Sequence, residues 1–418
     1  MNQEISRRYA KVWIILMISL VMFLVASETL AAAPSPLFAT TTGTDNICSQ
    51  SQPCKLVTAV SLAADNQYVY VAAGTYIGVV NPMLTVNKDI RLTGGWDGAR
   101  NGPIVVDPVA NLTILDGEDS RRVIEVRDLA TPIISGFTIK RGYHISRGGG
   151  IDIDNSPLVQ ITDNIFYDNH AGTYGGGLFI DEGNIEITGC WFEANEVDYG
   201  GGALMLANGV NATLADNTFT GNTASYGSAI HSDKASVIFY NNYVVNNLGT
   251  TSTDAISLNG LIGYEITFFN NVIADNISDG IKVQRYTLKL YHNTIANNGR
   301  DGLSIDTDAH VVLVNNIFSG HNSVGGYSIY KSGSGVIDSS INNLFWSNAN
   351  DPYTGTTPVF GDPKFYAKYH ILPNSSARDA GTNTFITADI DHQARASGGV
   401  PDIGADETLP IYLPLAIK

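Results

Sequence analysis

Between Gly148 and Lys331 one short pattern returns eight times, small residues first and then an alternation of apolar and other side chains. The copies are GGGIDID (148–154), GGGLFID (175–181), GGALMLA (201–207), GSAIHSD (227–233), DAISLN (254–259), DGIKVQ (279–284), DGLSID (301–306) and YSIYK (327–331). Their first apolar positions are Ile151, Leu178, Leu204, Ile230, Ile256, Ile281, Leu303 and Ile329, at steps of 27, 26, 26, 26, 25, 22 and 26 residues. Alternation of period two is a strand signal, and a strand that recurs at a period in the twenties predicts a stacked β-solenoid. Such a chain grows in one dimension, so 418 residues need not divide into several domains.

A second pattern follows each strand. An apolar residue precedes Asn by three places at Phe166/Asn169, Phe192/Asn195, Phe219/Asn222, Val244/Asn247, Ile273/Asn276, Ile295/Asn298 and Phe345/Asn348; the copy at Phe318 has His321 instead. Asn side chains stacked from coil to coil can satisfy one another's buried amides, and Asn tolerates the left-handed backbone of a sharp corner. Cys190 falls where other repeats carry Asn, which reads as a buried free thiol in the stack.

At the N-terminus Arg7, Arg8 and Lys11 precede an apolar run from Val12 to Ala26, and small residues reach Ala33. This predicts a secretory signal over 1–33 and an extracytoplasmic protein, secreted or on the cell surface. No other segment is long enough to cross a bilayer. Cys48 and Cys54, six apart in an oxidising compartment, predict a small-loop disulfide. Residues 34–66 read as a lead-in and N-terminal cap, in which Leu56, Val57, Val60, Ala63 and Ala64 share one helical face. A short helix there would cover the open edge of the first coil. The coils run over 67–348. The formal net charge of −16 argues against a nucleic-acid partner.

The paired elements FYDN/GGGL (166–178) and FEAN/GGAL (192–204) look like the repeats of polymorphic outer-membrane proteins. Period, Asn ladder and apolar stack together resemble the pectate-lyase-like superfamily. That resemblance implies an all-β, single-stranded, right-handed parallel β-helix with a short N-terminal capping helix. GDPKF (361–365), LPNSSARDAGTN (372–383) and ADIDHQARASGGVPDIGADE (388–407) resemble the choice-of-anchor Q region that follows such helices. It is assigned to 349–407, with a tail over 408–418. The resemblance implies that Asp379, Asp389, Asp391, Arg395, Asp402 and Glu407 form ion pairs and turns closing the last coil. The sequence departs from that pattern at Asp391-His392 and at Asp406.

In a solenoid, outward columns rather than linear motifs make sites. One column reads Asp152, Phe179, Met205, His231, Ser257, Lys282, Ser304, Tyr330, too mixed for a repetitive ligand lattice. Before the glycines stand Tyr174, Tyr199 and Tyr226, whose rings can stack on sugars and whose hydroxyls can bond to theirs. They can equally cover the glycine-rich strands. On the same rim Asp254, Asp279 and Asp301 stand near Lys282, Arg285 and Arg300. Three neighbouring carboxylates repel unless Ca²⁺ or raised pKa values relieve them, although Asp before Gly is also a common turn residue. The superfamily resemblance gives this set a use: Ca²⁺ neutralises a uronate and a basic residue takes the proton. No stretch carries a polygalacturonase motif, and the eight histidines do not fall at zinc-ligand spacing.

Three functions remain open. The first is a monomeric structural or adhesive β-helix without catalysis, binding a polysaccharide or cell-surface glycan through Tyr174, Tyr199 and Tyr226. The second is a polysaccharide lyase or glycoside hydrolase on an acidic polysaccharide, with Asp254, Asp279, Asp301 and Lys282 as catalytic candidates. The third is a part of a larger surface assembly.

Overall fold

The computed structural model describes residues 34–44, 46–249, 253–395 and 399–408. The secretory signal expected over 1–33 and the tail from 409 onward lie outside the described residues. Among those described, parallel hydrogen bonding joins 20 strands into one sheet, 12 into a second and 3 into a third. The result is a β-solenoid of about 11 turns.

Each turn carries an opening, a middle and a closing strand segment. In the best-ordered coils the opening and middle segments run on as one strand, Ile151–Thr162 and Leu178–Thr188. The apolar column that defines the repeat is one ladder of Cα partners, Ile151 to Leu178, Leu204, Ile230, Ile256, Ile281, Leu303 and Ile329. Ile124 and Leu84 extend it by two coils toward the N-terminus, where sequence periodicity is lost. All ten side chains are buried. On the closing strands Phe166, Phe192 and Phe219 stack face to face at 4.5 and 4.8 Å, each ring filling the gap its neighbour leaves.

Corners explain why the closing segments hold only three residues. At each corner one residue takes positive φ and the next points an amide inward. Asp168, Ala194, Gly221, Asn246, Asp275, Asn297, Gly320 and Ser347 form one left-handed column, each immediately before a ladder position. The left-handed turn therefore falls to the residue before the ladder Asn, not to the Asn itself. The ladder runs Asn169 to Asn195, Asn222, Asn247, Asn276 and Asn298 through Nδ2–H···Oδ1 bonds of 2.9–3.0 Å. A second ladder holds the other corner: Asn217, Asn242, Asn271, Asn293, Asn316 and Asn343. Cys190 continues it with a buried thiol, whose backbone N–H donates to Asn217 Oδ1 at 2.9 Å.

At the N-terminal end the helix α1, Leu56–Leu62, buries Leu56, Ala59 and Val60. It packs against the strands Leu37–Ala39 and Tyr68–Ala72. Cys48 and Cys54 are joined by a disulfide.

The C-terminal segment departs from expectation. The last coil is met by Val359–Phe360, which pairs with Leu344–Trp346. The described residues of 361–408 lie against the outside of the second corner rather than closing that coil, and 380–392 run back along it. Asn342 Nδ2 donates to the Ala380 carbonyl, Asn315 Nδ2 to Thr382, and Asn270 Nδ2 to Ala388, so successive coils are met in reverse order. The segment buries Ile317 and Leu344 under Ile371, Ala377 and Ile403, and Val272, Ala274 and Ala296 under Ile390 and Ala405. Gly404, at φ +100°, lies so close to the strands that a Cβ there would meet Ile317 Cδ1 at 2.5 Å. The side chain of Arg395, 2% exposed, donates to Asn270 and to the Gly404 and Ala405 carbonyls, with Glu407 at 3.5 Å. Asp389 accepts N–H bonds from Asp391, Gln393 and Glu407. The expected ion pairs and turns are present, but they fasten a return segment to the flank. Among the described residues no helix is long and apolar enough to cross a membrane.

Candidate functional site

Pleating sets every second residue of the opening strands outward. That face carries Asp152, Phe179, Met205, His231, Ser257, Lys282, Ser304 and Tyr330 in one register. Three regions differ in character along it.

The first is an ion network toward the N-terminal coils. Arg122 lies 2.8 Å from Asp152 and 2.9 Å from Glu125. Arg147 reaches Asp154 at 3.3 Å and Asp181 at 3.1 Å, and its guanidinium covers the Phe179 ring at 4.6 Å. Arg122 and Glu125 come from coils before the regular repeats, so no column in the sequence pointed to them.

The second region contains the tyrosines. Their rings meet in sequence, Tyr174–Tyr199 at 5.3 Å and Tyr199–Tyr226 at 5.0 Å. They are not a flat platform: the planes are 81° and 51° apart. The backbone register explains this, because Tyr174 and Tyr226 both pair with Gly200 rather than Tyr199. Tyr199 is thus displaced by one residue and stands 46% exposed, beside Tyr226 at 43%. These two rings border a pocket of about 170 Å³ completed by His231, Ser257, Asn259, Lys282 and Gln284.

Inside the pocket the polar groups are underused. His231 lies over Gly200, where a Cβ would come within 3.2 Å of the imidazole. Its Nδ1 is buried and has no hydrogen-bond partner among the described residues. Burial pushes its pKa down to about 4, against the opposing pull of Asp233, so the ring is neutral near pH 7. Lys282 forms no ion pair among the described residues. The site therefore offers one unpaired cation, two exposed phenols, a neutral imidazole and two amides.

The third region contains the aspartates, and they are differently placed from the tyrosines. Asp254, Asp279 and Asp301 are 3%, 4% and 1% exposed; the first two begin their strands and Asp301 stands two residues before the strand Leu303–Ile305. Asp279 and Asp301 are bound to Arg300 at 2.9 and 3.1 Å. Asp279 Oδ1 also accepts the Asp301 N–H, and Asp301 Oδ1 accepts the Tyr327 N–H. Asp254 Oδ2 is buried without a partner. Burial raises all three pKa values, Asp254 and Asp301 to about 6. Asp279 and Asp301 thus turn oxygens to Arg300 and backbone N–H groups, and among the described residues the three carboxylates do not gather within metal-ligand reach of one another. Arg285 is spent on Asn259 Oδ1 at 3.0 Å. Of that group Lys282 alone belongs to the pocket.

Sequence reasoning found Tyr199, Tyr226 and Lys282 but assigned them to separate sites. The missing signal was available: His231 and Lys282 share the outward column, with Ser257 between them.

Residues 109–259 match the family described as right handed beta helix region. The chain is a right-handed parallel β-helix. No curated protein matches it by sequence. Among solved structures the β-helix is similar to pectate lyase Pel9A, at 12% identity over 90% of this chain and 97% of that one, with a TM-score of 0.40. It is also similar to the A-module of the Azotobacter vinelandii mannuronan C-5 epimerase AlgE4, at 12% identity over 76% of this chain and 94% of that one, with a TM-score of 0.31.

Proposed function

We propose that this β-helix is a secreted or surface-displayed carbohydrate-binding protein whose opening-strand face takes an acidic glycan. The observation that carries the reading is the pairing of Tyr199 and Tyr226, both nearly half exposed, with the unpaired Lys282 in one pocket. Phenol rings supply apolar faces for a sugar ring and hydroxyls for its edges. Lys282, on a protein of net charge −16, supports an anionic sugar by placing a local positive charge where a carboxylate can be held. The binding face is presented by a stack of coils, which gives it a rigid floor.

The test is calorimetric binding of acidic and neutral oligosaccharides. Preference for uronate-containing chains, lost in Lys282→Gln, supports the reading; equal binding of neutral chains, or none, overturns it.

His231 favours a second reading. A neutral, buried imidazole with a free nitrogen beside two tyrosines can accept a proton, the step that begins β-elimination from a uronate. If the β-helix is a lyase, incubation with acidic polysaccharides yields unsaturated ends, seen by their ultraviolet absorbance, and His231→Ala abolishes them. Binding without such products leaves the adhesive reading.

A further inference from the structure

The return segment holds a second group of chemistry-bearing side chains, outside the tyrosine pocket. His370, Asp391 and Asp406 come from three separate turns, and one candidate ligand atom of each lies within 4.8 Å of the other two. His370 Nδ1 is 2.7 Å from the Ala367 carbonyl oxygen, which can only accept, so Nδ1 carries a proton. The ring is thereby fixed with Nε2 toward Asp391 Oδ2, 2.6 Å away. Metal-bound imidazoles are commonly held in this way, the far nitrogen tied to a backbone carbonyl.

Asp406 is 5% exposed, and its Oδ2 accepts the Ile371 N–H at 2.8 Å. Gln393 Oε1, on the wall of the adjoining pocket of about 240 Å³, is buried and has no partner among the described residues. A buried acceptor without a donor is uncommon in folded proteins, and this one lines the same pocket as His370 and Asp406. Arg395 serves Glu407 and backbone carbonyls.

We propose that His370, Asp391, Asp406 and the Gln393 amide oxygen bind one divalent transition-metal ion of the zinc or manganese class. An imidazole with carboxylates suits such ions better than the all-oxygen shell that calcium prefers. The proton between His370 Nε2 and Asp391 leaves when the ion enters, and the ion then ties the three turns to one another. The site would fasten the return segment rather than act on a glycan.

The experiment uses the full chain, stripped with a chelator and titrated with Zn²⁺ and with Mn²⁺ by calorimetry, with melting followed in parallel. One equivalent bound and a raised Tm are expected. Asp391→Asn, at a carboxylate 40% exposed, weakens binding ~10-fold or more, and His370→Ala abolishes it. His310→Ala, at the exposed pair with Asp338, leaves it unchanged. Absence of binding overturns the proposal, as does binding that survives both His370→Ala and Asp391→Asn. Calcium binding as tightly as zinc overturns the transition-metal assignment. Should His370→Ala fail to fold, Asp391→Asn decides.

Discussion

His321 Nδ1 lies 3.0 Å from Asn348 Oδ1, and its Nε2 lies 3.5 Å from Asn298 Nδ2, so one imidazole spans a ladder otherwise made of amides. Burial holds this ring down to about pKa 4, against 6.5 when exposed. Between those values the unfolded chain binds a proton that the folded chain refuses. The His321 contribution to stability is therefore full above pH 6.5 and is lost as pH falls toward 4. His321→Asn should flatten this acid limb in denaturation measured across that window while changing little at pH 8. His321→Ala, which strands Asn348, should cost about 1–3 kcal/mol at pH 8. An Asn variant with the parent's pH profile would contradict the ladder role.

Asp254 gives the opposite sign. Its carboxyl is raised to about 6 by burial, so between pH 3.8 and about 6 the folded state holds the proton and the unfolded state does not. Its contribution is favourable below that window and fades as pH rises through it. Asp254→Asn should stabilise the protein at pH 7 by about 2–3 kcal/mol. The gain should close by pH 4. A loss at pH 7 in urea melts would show that Asp254 is paired in solution.

Tyr199→Ala and Tyr226→Ala should each weaken oligosaccharide binding by about 2–10-fold, the range of one aromatic contact. Tyr174→Ala should matter less, because its ring leans on Phe179 and lies outside the pocket. Lys282→Gln should remove most of the salt dependence of binding. Equal effects of all three tyrosines would restore the flat-platform picture that the ring angles argue against.

Arg395→Ala removes the buried cation beside Glu407 and the donor to the Asn270 oxygen, and should cost about 3–5 kcal/mol. Hydrogen exchange should rise first in 377–407 and along the corner from Asn270 to Asn342. Exchange confined to the immediate neighbours of Arg395 would mean the return segment is held by other contacts.

The regular coils were legible in the sequence because their physics is local and repeated. The first apolar residue of each copy, read as a column from Ile151 to Ile329, is a ladder of direct Cα partners. The ladder from Asn169 to Asn348 was equally visible, even through its His321 exception. Elsewhere the signal fails for stated reasons. Arg122 pairs with Asp152 across coils with different spacings, and no period connects them. Asp254, Asp279 and Asp301 carry the residue types of a cation site, but their depth depends on whether the chain before each strand turns inward. The course of 361–408 depends on unrepeated contacts such as Asn315 with Thr382. One indirect trace existed: outward positions on the closing strands change from Ile165 and Trp191, which are exposed, to Val272, Ile317 and Leu344, which the return segment buries.

A plain stack of coils loses structure one rung at a time from its free end, since each turn leans only on its neighbours. The return segment alters that behaviour. Its far end reaches Asp216 through His392, at 3.0 Å, while its near end leaves the last turn. Turns made at different times during synthesis are thus bound by a stretch that emerges after all of them. Fraying at the C-terminal end must first release that stretch, so the final third of the solenoid should melt as a single cooperative block.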